Sequence, residues 1–380
     1  MTSLHTKPDI TVFAKLCEQQ TDLNVYPLAQ AVEKNVLCYA GDTLRAAEQD
    51  KSLRTQLLQE ISRALQYGPG VLAITAAYTD MTVLEEQNTV FETILQQEAD
   101  KQTGDHFAKA GANSRIWNSL QKSALLNPQS FIDYYKNPLL ALVSEAWLGP
   151  DFQMTAQVNI VRPGGKAQSP HRDYHLGFQS TDVLEHYPSH VHNMSAMLTL
   201  QGAIAHTDMP LESGPTLLLP YSQQYAEGYL AWREPAFKDY FARNAIQLPL
   251  KQGDAVFFNP ALFHAAGSNR TNDFHRSANL LQVSSAFGRA MESVDRYAIS
   301  QALYPHLLNS WQQLSDSEQD AVLSSGCEGY SFPTNLDTDP PLGGMAPETH
   351  KALTRRALEE SWTEGKFRAE SAVHKQRRSA

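Results

Sequence analysis

The segment MTAQVNIVRP (154–163) marks a change in the pattern of the sequence, from helical periodicity to short runs rich in β-forming residues. Gly, Pro, Asn and Asp separate it from the similar segments that follow, which is typical of strands joined by turns. Together these segments predict an antiparallel β-sandwich or barrel. The later segments are SAMLTLQGAI (195–204), TLLLP (216–220), DAVFFNP (254–260) and SANLLQVSSAF (277–287).

Helical patterns lie on both sides of these strands. The first 150 residues predict mainly helices, with one short strand at residues 70–78. A brief helical insert, roughly 222–244, interrupts the β segments. We therefore expect an α+β protein built as one integrated domain: a helical N-terminal part (1–150), a β core (151–290), and C-terminal helices with a basic tail (291–380).

Composition limits the partners of this 380-residue chain. A formal charge of −10, with no basic run interleaved with aromatic residues, argues against nucleic acid as a partner. No stretch of about 18 apolar residues predicts a membrane span, and the first residues lack the pattern of a signal peptide. Cys17, Cys38 and Cys327 lie far apart, which excludes a cysteine zinc site and argues against a disulfide framework. We expect a cytoplasmic protein that acts on a small molecule, with a solvated tail at HKQRRSA (374–380) and an oligomeric state that the sequence leaves open.

Two histidines and an aspartate fall close together in SPHRDYHLGFQS (169–180). In a strand, residues two apart point the same way, so His171 and Asp173 can direct an imidazole and a carboxylate to one point. The best third ligand is His264, because it follows a β segment at the start of a turn. Two histidines and one carboxylate form the facial triad of non-haem iron oxygenases, which leaves three positions open. Zinc prefers tetrahedral sites with nitrogen and sulfur ligands, and this set offers no thiolate.

Arg276 stands at the head of a later strand segment. Its planar guanidinium can bind a carboxylate through two hydrogen bonds, as a dicarboxylate co-substrate would require. For Arg270, in the turn GSNRTND (267–273), we expect an ordinary surface salt bridge instead.

The order of these parts resembles the phytanoyl-CoA dioxygenase family of Fe(II)/2-oxoglutarate oxygenases over roughly residues 155–286. The matching parts are His171-Arg172-Asp173, Glu212-Ser213-Gly214-Pro215 with Pro220-Tyr221-Ser222, Gly253-Asp254, His264 and Arg276. The resemblance implies a double-stranded β-helix core of the cupin-like, jelly-roll type, with helices on both flanks. It implies that His171, Asp173 and His264 hold Fe(II), that Arg276 pairs with the distal carboxylate of 2-oxoglutarate, and that O₂ is consumed.

The resemblance also bears on the reaction. Relatives that halogenate have a small residue in place of the aspartate, so Asp173 favours oxygenation. We expect hydroxylation of a small molecule with release of succinate and CO₂, although desaturation or ring formation would need the same residues. Two alternatives stay open: a jelly-roll binding protein without catalysis, and a cupin-type metal hydrolase or isomerase that uses several of the other histidines.

The sequence departs from the family pattern at two places. Arg172 replaces a common Gln between the two ligands, which is expected to alter contacts near the co-substrate, and Pro220-Tyr221-Ser222-Gln223 replaces the usual Pro-Gly-Ser-His turn. Neither departure removes a ligand. The residues near the mouth that could meet a charged substrate such as a CoA ester are Arg162, Lys166 and Arg172.

Further candidates surround these motifs. For a second pair, His206-Thr-Asp208, we expect an ordinary solvated or hydrogen-bonded histidine. His175 is a candidate hydrogen-bond partner of Asp173. The stretch EHYPSHVHN (185–193), with His186, His190 and His192, predicts a polar loop. Candidate lid elements are Tyr174, Phe178 and the loop 178–192.

Overall fold

The computed structural model describes residues 5–98 and 113–379. Within these ranges the strands are β1 (Ala31–Glu33), β2 (Val36–Ala40), β3 (Val71–Thr75), β4 (Asn113–Ile116), β5 (Gln153–Val161), β6 (Thr199–Ala205), β7 (Leu217–Leu218), β8 (Ala255–Phe258), β9 (His264–Ala265) and β10 (Arg276–Ser284).

The helices alternate with these strands. They are α1 (Ile10–Cys17), α2 (Gly41–Glu48), α3 (Lys51–Gln66), α4 (Met81–Glu98), α5 (Ser119–Leu126), α6 (Pro128–Tyr135), α7 (Pro138–Leu148), α8 (Thr181–Leu184), α9 (Ser189–Ser195), α10 (Gly228–Ala231), α11 (Pro235–Asn244), α12 (Arg296–Ser310), α13 (Asp316–Gly326), α14 (His350–Glu359) and α15 (Glu364–Arg378).

A large sheet with the strand order β1-β2-β3-β8-β6-β10-β5-β4 carries the molecule. Its neighbouring strands are antiparallel except β2 and β3, which are parallel. Strand β10 lies near the centre and pairs along its length with β5 on one side and β6 on the other. Because side chains alternate across a strand, every second residue of these central strands points into the space between this sheet and the one that faces it.

A small sheet faces the large one. Strands β7 and β9 pair in it, a bridge between His171 and His264 extends it on one side, and a bridge between Leu218 and Ile246 extends it on the other. From β5 onward the chain passes back and forth between the two sheets, which is the winding of a double-stranded β-helix. The predicted core and the predicted α+β class are confirmed.

The helices cover the outer face of the large sheet. One hydrophobic cluster contains Leu57 of α3, Leu142 of α7, Phe257 of β8 and Val322 of α13, all essentially inaccessible to solvent. This cluster therefore joins the N-terminal helices, the sheet and the C-terminal helices in a single core. The central sheet is held on its outer side by this core, which leaves its inner side for the site.

Four details differ from the sequence-based expectations. Strands β1, β2 and β4 also belong to the first 150 residues; β1 and β2 form a hairpin whose two turn residues, Lys34 and Asn35, both have positive φ, as a type I′ turn requires. The spacing of Thr82 and Glu85 predicts a capping box at the start of α4, but Asp80 accepts hydrogen bonds from the backbone N–H and the hydroxyl of Thr82, so Thr82 is not the cap.

The other two differences concern segments predicted to be irregular. The predicted loop 185–193 contains the start of helix α9, which begins directly after Pro188. Residues 374–378 of the predicted tail continue α15, because the buried His374 is hydrogen-bonded to Tyr297 and to the carbonyl of Glu348. All three cysteines are free thiols. In the described ranges no helix combines the length and the hydropathy needed to cross a membrane.

Candidate functional site

Three side chains predicted to act together meet between the two sheets. His171 and His264 exchange backbone hydrogen bonds of 3.0 and 3.2 Å, which places their rings side by side with centroids 4.5 Å apart. The Asp173 carboxylate lies 3.5 Å from Nε2 of His171 and 3.3 Å from Nε2 of His264. One potential ligand atom from each of the three residues lies within 4.8 Å of the other two. Among the described residues, no other group of three or more His, Cys, Asp or Glu side chains meets in this way.

The backbone fixes which nitrogen of each ring faces the centre. Nδ1 of His171 lies 2.9 Å from the carbonyl of Ser169, and Nδ1 of His264 lies 2.8 Å from the carbonyl of Leu262. A carbonyl can only accept, so Nδ1 carries the proton in both rings and Nε2 of each neutral imidazole presents a lone pair. Two such lone pairs and a carboxylate facing one another are all acceptors. This donor set fits a divalent cation such as Fe(II) at their centre.

Protonation agrees with this arrangement. Burial lowers the pKa of His171, and the neighbouring His264 lowers it further, so the neutral, ligating form is favoured. Burial alone would raise the pKa of Asp173, but the two imidazoles and the Gln201 amide together lower it to about 2. Asp173 is therefore ionised at neutral pH.

Gln201 on β6 was missed by the sequence analysis. Its Nε2 donates a 2.5 Å hydrogen bond to Oδ2 of Asp173, which fixes the orientation of the carboxylate. The role suggested for His175 is not found, because among the described residues its side chain forms no hydrogen bond with Asp173 and its buried Nε2 has no partner. The sequence did contain a signal for Gln201, because this polar amide interrupts the mainly apolar run TLQGAI (199–204).

Arg276, the first residue of β10, lies in the same cavity. Its side chain is 6% exposed, and within the described ranges it forms no ion pair or side-chain hydrogen bond. Burial lowers its pKa to about 10, so it stays protonated at neutral pH. A buried cation without a counter-ion is costly, and it implies that an anionic ligand completes the site. Arg270, in contrast, is exposed, but within the described ranges it does not form the surface salt bridge that was expected.

The cavity has a volume of about 520 Å³, within the range of small-molecule sites. Its apolar lining includes Leu248, Leu250 and Val256. Elsewhere it is lined by polar groups from the large sheet and by aromatic side chains, which are Gln157, Asn159, Gln201, Gln282, Arg115, Trp117, Phe178 and Trp232.

The second His-x-Asp pair serves the fold, as expected. The ring of His206 is buried between Tyr134 and Asn88, with hydrogen bonds of 2.9 and 2.7 Å. Asp208 instead accepts from the backbone of Gln252, so the two side chains do not share a target. Burial lowers the pKa of His206 to about 3, which keeps it neutral.

The extra histidines do not enlarge the metal cluster. His192 is buried in helix α9 and contacts the Leu184 carbonyl at 3.0 Å, whereas His186 and His190 are exposed. This removes the support for a cupin-type hydrolase or isomerase that uses them. Of the candidate lid residues, Phe178 lines the cavity and is 49% exposed, while Tyr174 is buried.

Arg172 does not face the co-substrate, contrary to expectation. Its guanidinium points away from the ligands and donates to the carbonyls of Ser222 and Tyr225 at 2.7 and 2.8 Å. Arg162 and Lys166 do not line the cavity. Of the three basic residues suggested for a CoA ester, only Arg172 therefore contributes to the lining, and its guanidinium is bound to backbone carbonyls.

The profile of the family described as Phytanoyl-CoA dioxygenase (PhyH) matches residues 67–278. The dioxygenase andF of Emericella variicolor is 22% identical over 211 residues, which are 54% of this chain and 67% of that protein.

Two solved structures from nogalamycin biosynthesis are similar to the chain. The non-heme alpha-ketoglutarate-dependent carbocyclase SnoK is 18% identical with a TM-score of 0.46, over 63% of this chain and 86% of its own. The corresponding epimerase SnoN is 17% identical with a TM-score of 0.42, over 62% and 85%. The family profile spans more than half of the 380 residues. The relationship predicted from the motifs is confirmed: the chain belongs to the phytanoyl-CoA dioxygenase family, whose members are Fe(II)- and 2-oxoglutarate-dependent oxygenases.

Proposed function

We propose that this protein is a dioxygenase that hydroxylates a small molecule and converts 2-oxoglutarate to succinate and CO₂. One observation carries the proposal. Two imidazole lone pairs and a carboxylate converge in a cavity that also holds the unpaired guanidinium of Arg276. This combination provides one site for a divalent metal and one site for an anionic co-substrate in the same space.

His171, Asp173 and His264 would hold the iron. When bound, Fe(II) supplies the activation of O₂ and the oxidation of a C–H bond. The carbonyls of Ser169 and Leu262 keep each imidazole in the ligating tautomer. An intact carboxylate at Asp173 supports hydroxylation, because it occupies the position that a halide would need.

Arg276 would bind the distal carboxylate of 2-oxoglutarate. A planar guanidinium donates two parallel hydrogen bonds to a carboxylate, and both are strong because the site is buried. The cavity lining also includes the apolar side chains of Leu248, Leu250 and Val256, which lower the local polarity and so reduce screening of this pairing. The protein thereby gives the co-substrate a single orientation with its keto acid end toward the metal ligands.

Anaerobic titration of the reduced protein with Fe(II) and 2-oxoglutarate tests the proposal. A weak visible charge-transfer band should appear only when both bind at one metal, and it should be absent from Asp173→Ala. If the band forms, release of succinate on admission of O₂ can be used to screen candidate substrates. A protein that binds neither partner would instead support the alternative of a non-catalytic jelly-roll binding protein.

A further inference from the structure

Three polar side chains form a hydrogen-bonded chain across the large sheet. Arg115 of β4 donates from Nη1 to Oε1 of Gln157 of β5 over 3.1 Å. Nε2 of Gln157 then donates to Oε1 of Gln282 of β10 over 3.3 Å. All three residues line the cavity, and Gln157 is wholly buried.

The donor and acceptor groups of these three side chains set the direction of the hydrogen bonds between them. A guanidinium can only donate, so the oxygen of Gln157 must face Arg115 and its nitrogen must face Gln282. Gln282 therefore accepts through its oxygen, and its Nε2 is left to face the cavity. The charge of Arg115 at the start of the chain polarises each amide in turn and strengthens the last donor.

That last donor has no protein partner. Gln282 is 6% exposed, and within the described ranges its Nε2 makes no hydrogen bond. It lies six residues after Arg276 on β10, about 20 Å along an extended strand. The two groups therefore occupy different ends of the cavity, and a co-substrate held at Arg276 leaves Gln282 for another ligand.

The charge at this end favours a neutral ligand. The Glu292 carboxylate accepts from the backbone N–H of Asn118 at 2.7 Å and lies 3.5 Å from Nε2 of Gln157. Burial raises the pKa of Glu292, and its hydrogen bonds with Asn118 and Gln157 partly oppose that rise. Arg115 and Glu292 contact the oxygen and the nitrogen of the same Gln157 amide, so a basic and an acidic group lie on either side of it. Because they offset each other, a carboxylate on the ligand would gain little here. Trp117 and Met291 add apolar surface to the lining of the cavity.

We propose that Nε2 of Gln282 determines substrate specificity by donating to a neutral carbonyl oxygen of a compact, largely apolar substrate. This inference rests on the proposed function. It assigns the main substrate to the end of the cavity opposite Arg276 and excludes a ligand recognised through negative charge.

Binding of three matched probes to the metal-free protein tests this assignment. The probes share one ring system: 1-tetralone carries a neutral carbonyl, tetralin carries none, and 1,2,3,4-tetrahydro-1-naphthoate carries a carboxylate. Their dissociation constants are measured by ligand-observed NMR in the presence of 2-oxoglutarate. We expect 1-tetralone to bind more tightly than tetralin, and Gln282→Leu to weaken 1-tetralone roughly 3- to 10-fold, the value of one hydrogen bond, without weakening tetralin.

Two further variants separate the roles. Gln157→Glu keeps an acceptor for Arg115 but offers Gln282 no N–H, so it should also reduce the preference for 1-tetralone. Gln129→Leu, on the exposed surface of α6, is the control and should change nothing. Equal affinity of 1-tetralone for the wild type and Gln282→Leu, preferential Gln282-dependent binding of the carboxylate, or no binding of any probe would overturn the assignment. Loss of 2-oxoglutarate binding alone would count against the proposed function instead.

Discussion

Replacing Arg276 by leucine should weaken binding of 2-oxoglutarate and stabilise the ligand-free fold at the same time. Two charge-assisted hydrogen bonds to a carboxylate contribute about 3 kcal/mol or more, which corresponds to a loss of affinity of about 150-fold. The unpaired guanidinium, however, destabilises the empty protein. Its pKa is lowered to about 10 by burial, which corresponds to roughly 3 kcal/mol at about 1.4 kcal/mol for each tenfold change in proton affinity. Water in the cavity reduces this figure, so we expect a gain of about 1–3 kcal/mol.

Two assays on the same preparations check both effects. The visible charge-transfer band gives the affinity for 2-oxoglutarate, and urea unfolding without ligands gives the free energy of unfolding. Arg270→Leu, at an exposed arginine in the turn before β10, is the matched control and should change stability by no more than about 0.5 kcal/mol. The reasoning is refuted if Arg276→Leu binds 2-oxoglutarate normally, or if it destabilises the empty protein.

Three other outcomes are expected. Asp173→Ala should abolish 2-oxoglutarate-dependent succinate release with an unchanged circular dichroism spectrum; retained turnover would move the metal site elsewhere. Gly228→Ala should destabilise the protein by about 1–3 kcal/mol in urea unfolding, because its Cβ would lie 1.9 Å from Cζ of the buried Arg172, whereas Gly365→Ala, with open space around it, should be neutral or slightly stabilising. His206, neutral in the fold with a pKa lowered to about 3, takes up a proton near pH 6.5 only when unfolded. The free energy of unfolding should therefore fall as the pH drops below 6.5, and it should fall more steeply in the wild type than in His206→Leu. The difference between the two slopes should reach up to about 1.4 kcal/mol per pH unit, and equal slopes would contradict this.

Local patterns predicted those parts of the fold that are set by neighbouring residues. The β core and the helical insert at 222–244 both follow from the periodicity of the sequence. Strands β1 and β2 were missed because short strands are defined by their partners, and β2 pairs with a strand more than thirty residues away. Tertiary packing likewise orders residues 374–378, since the partners of His374 lie on α12 and beside α14.

The ligand set of the candidate site was readable for a similar reason. His171 and Asp173 are two residues apart on one extended segment, so their side chains point the same way, and His264 follows a strand at the start of a turn. All three candidates could therefore be identified from local sequence patterns. Gln201 and Gln282 were not found, because their roles depend on the register between strands. That register places these two residues opposite each other, although 80 positions separate them, and no local pattern encodes it.

The two departures from the family motif illustrate the same limit of local patterns, because they turn out to be one structural feature. Arg172 donates to the backbone carbonyl of Ser222, in the turn that replaces the usual Pro-Gly-Ser-His, and to that of Tyr225 just after it. Gln223 of that turn donates to the carbonyl of Gly68, between helix α3 and the large sheet. The buried Arg172, on the segment that carries His171 and Asp173, thus stabilises this turn. The turn itself is hydrogen-bonded to the N-terminal helical part. The departures therefore concern the attachment of the helices to the β core, which explains how they coexist with an intact set of candidate metal ligands.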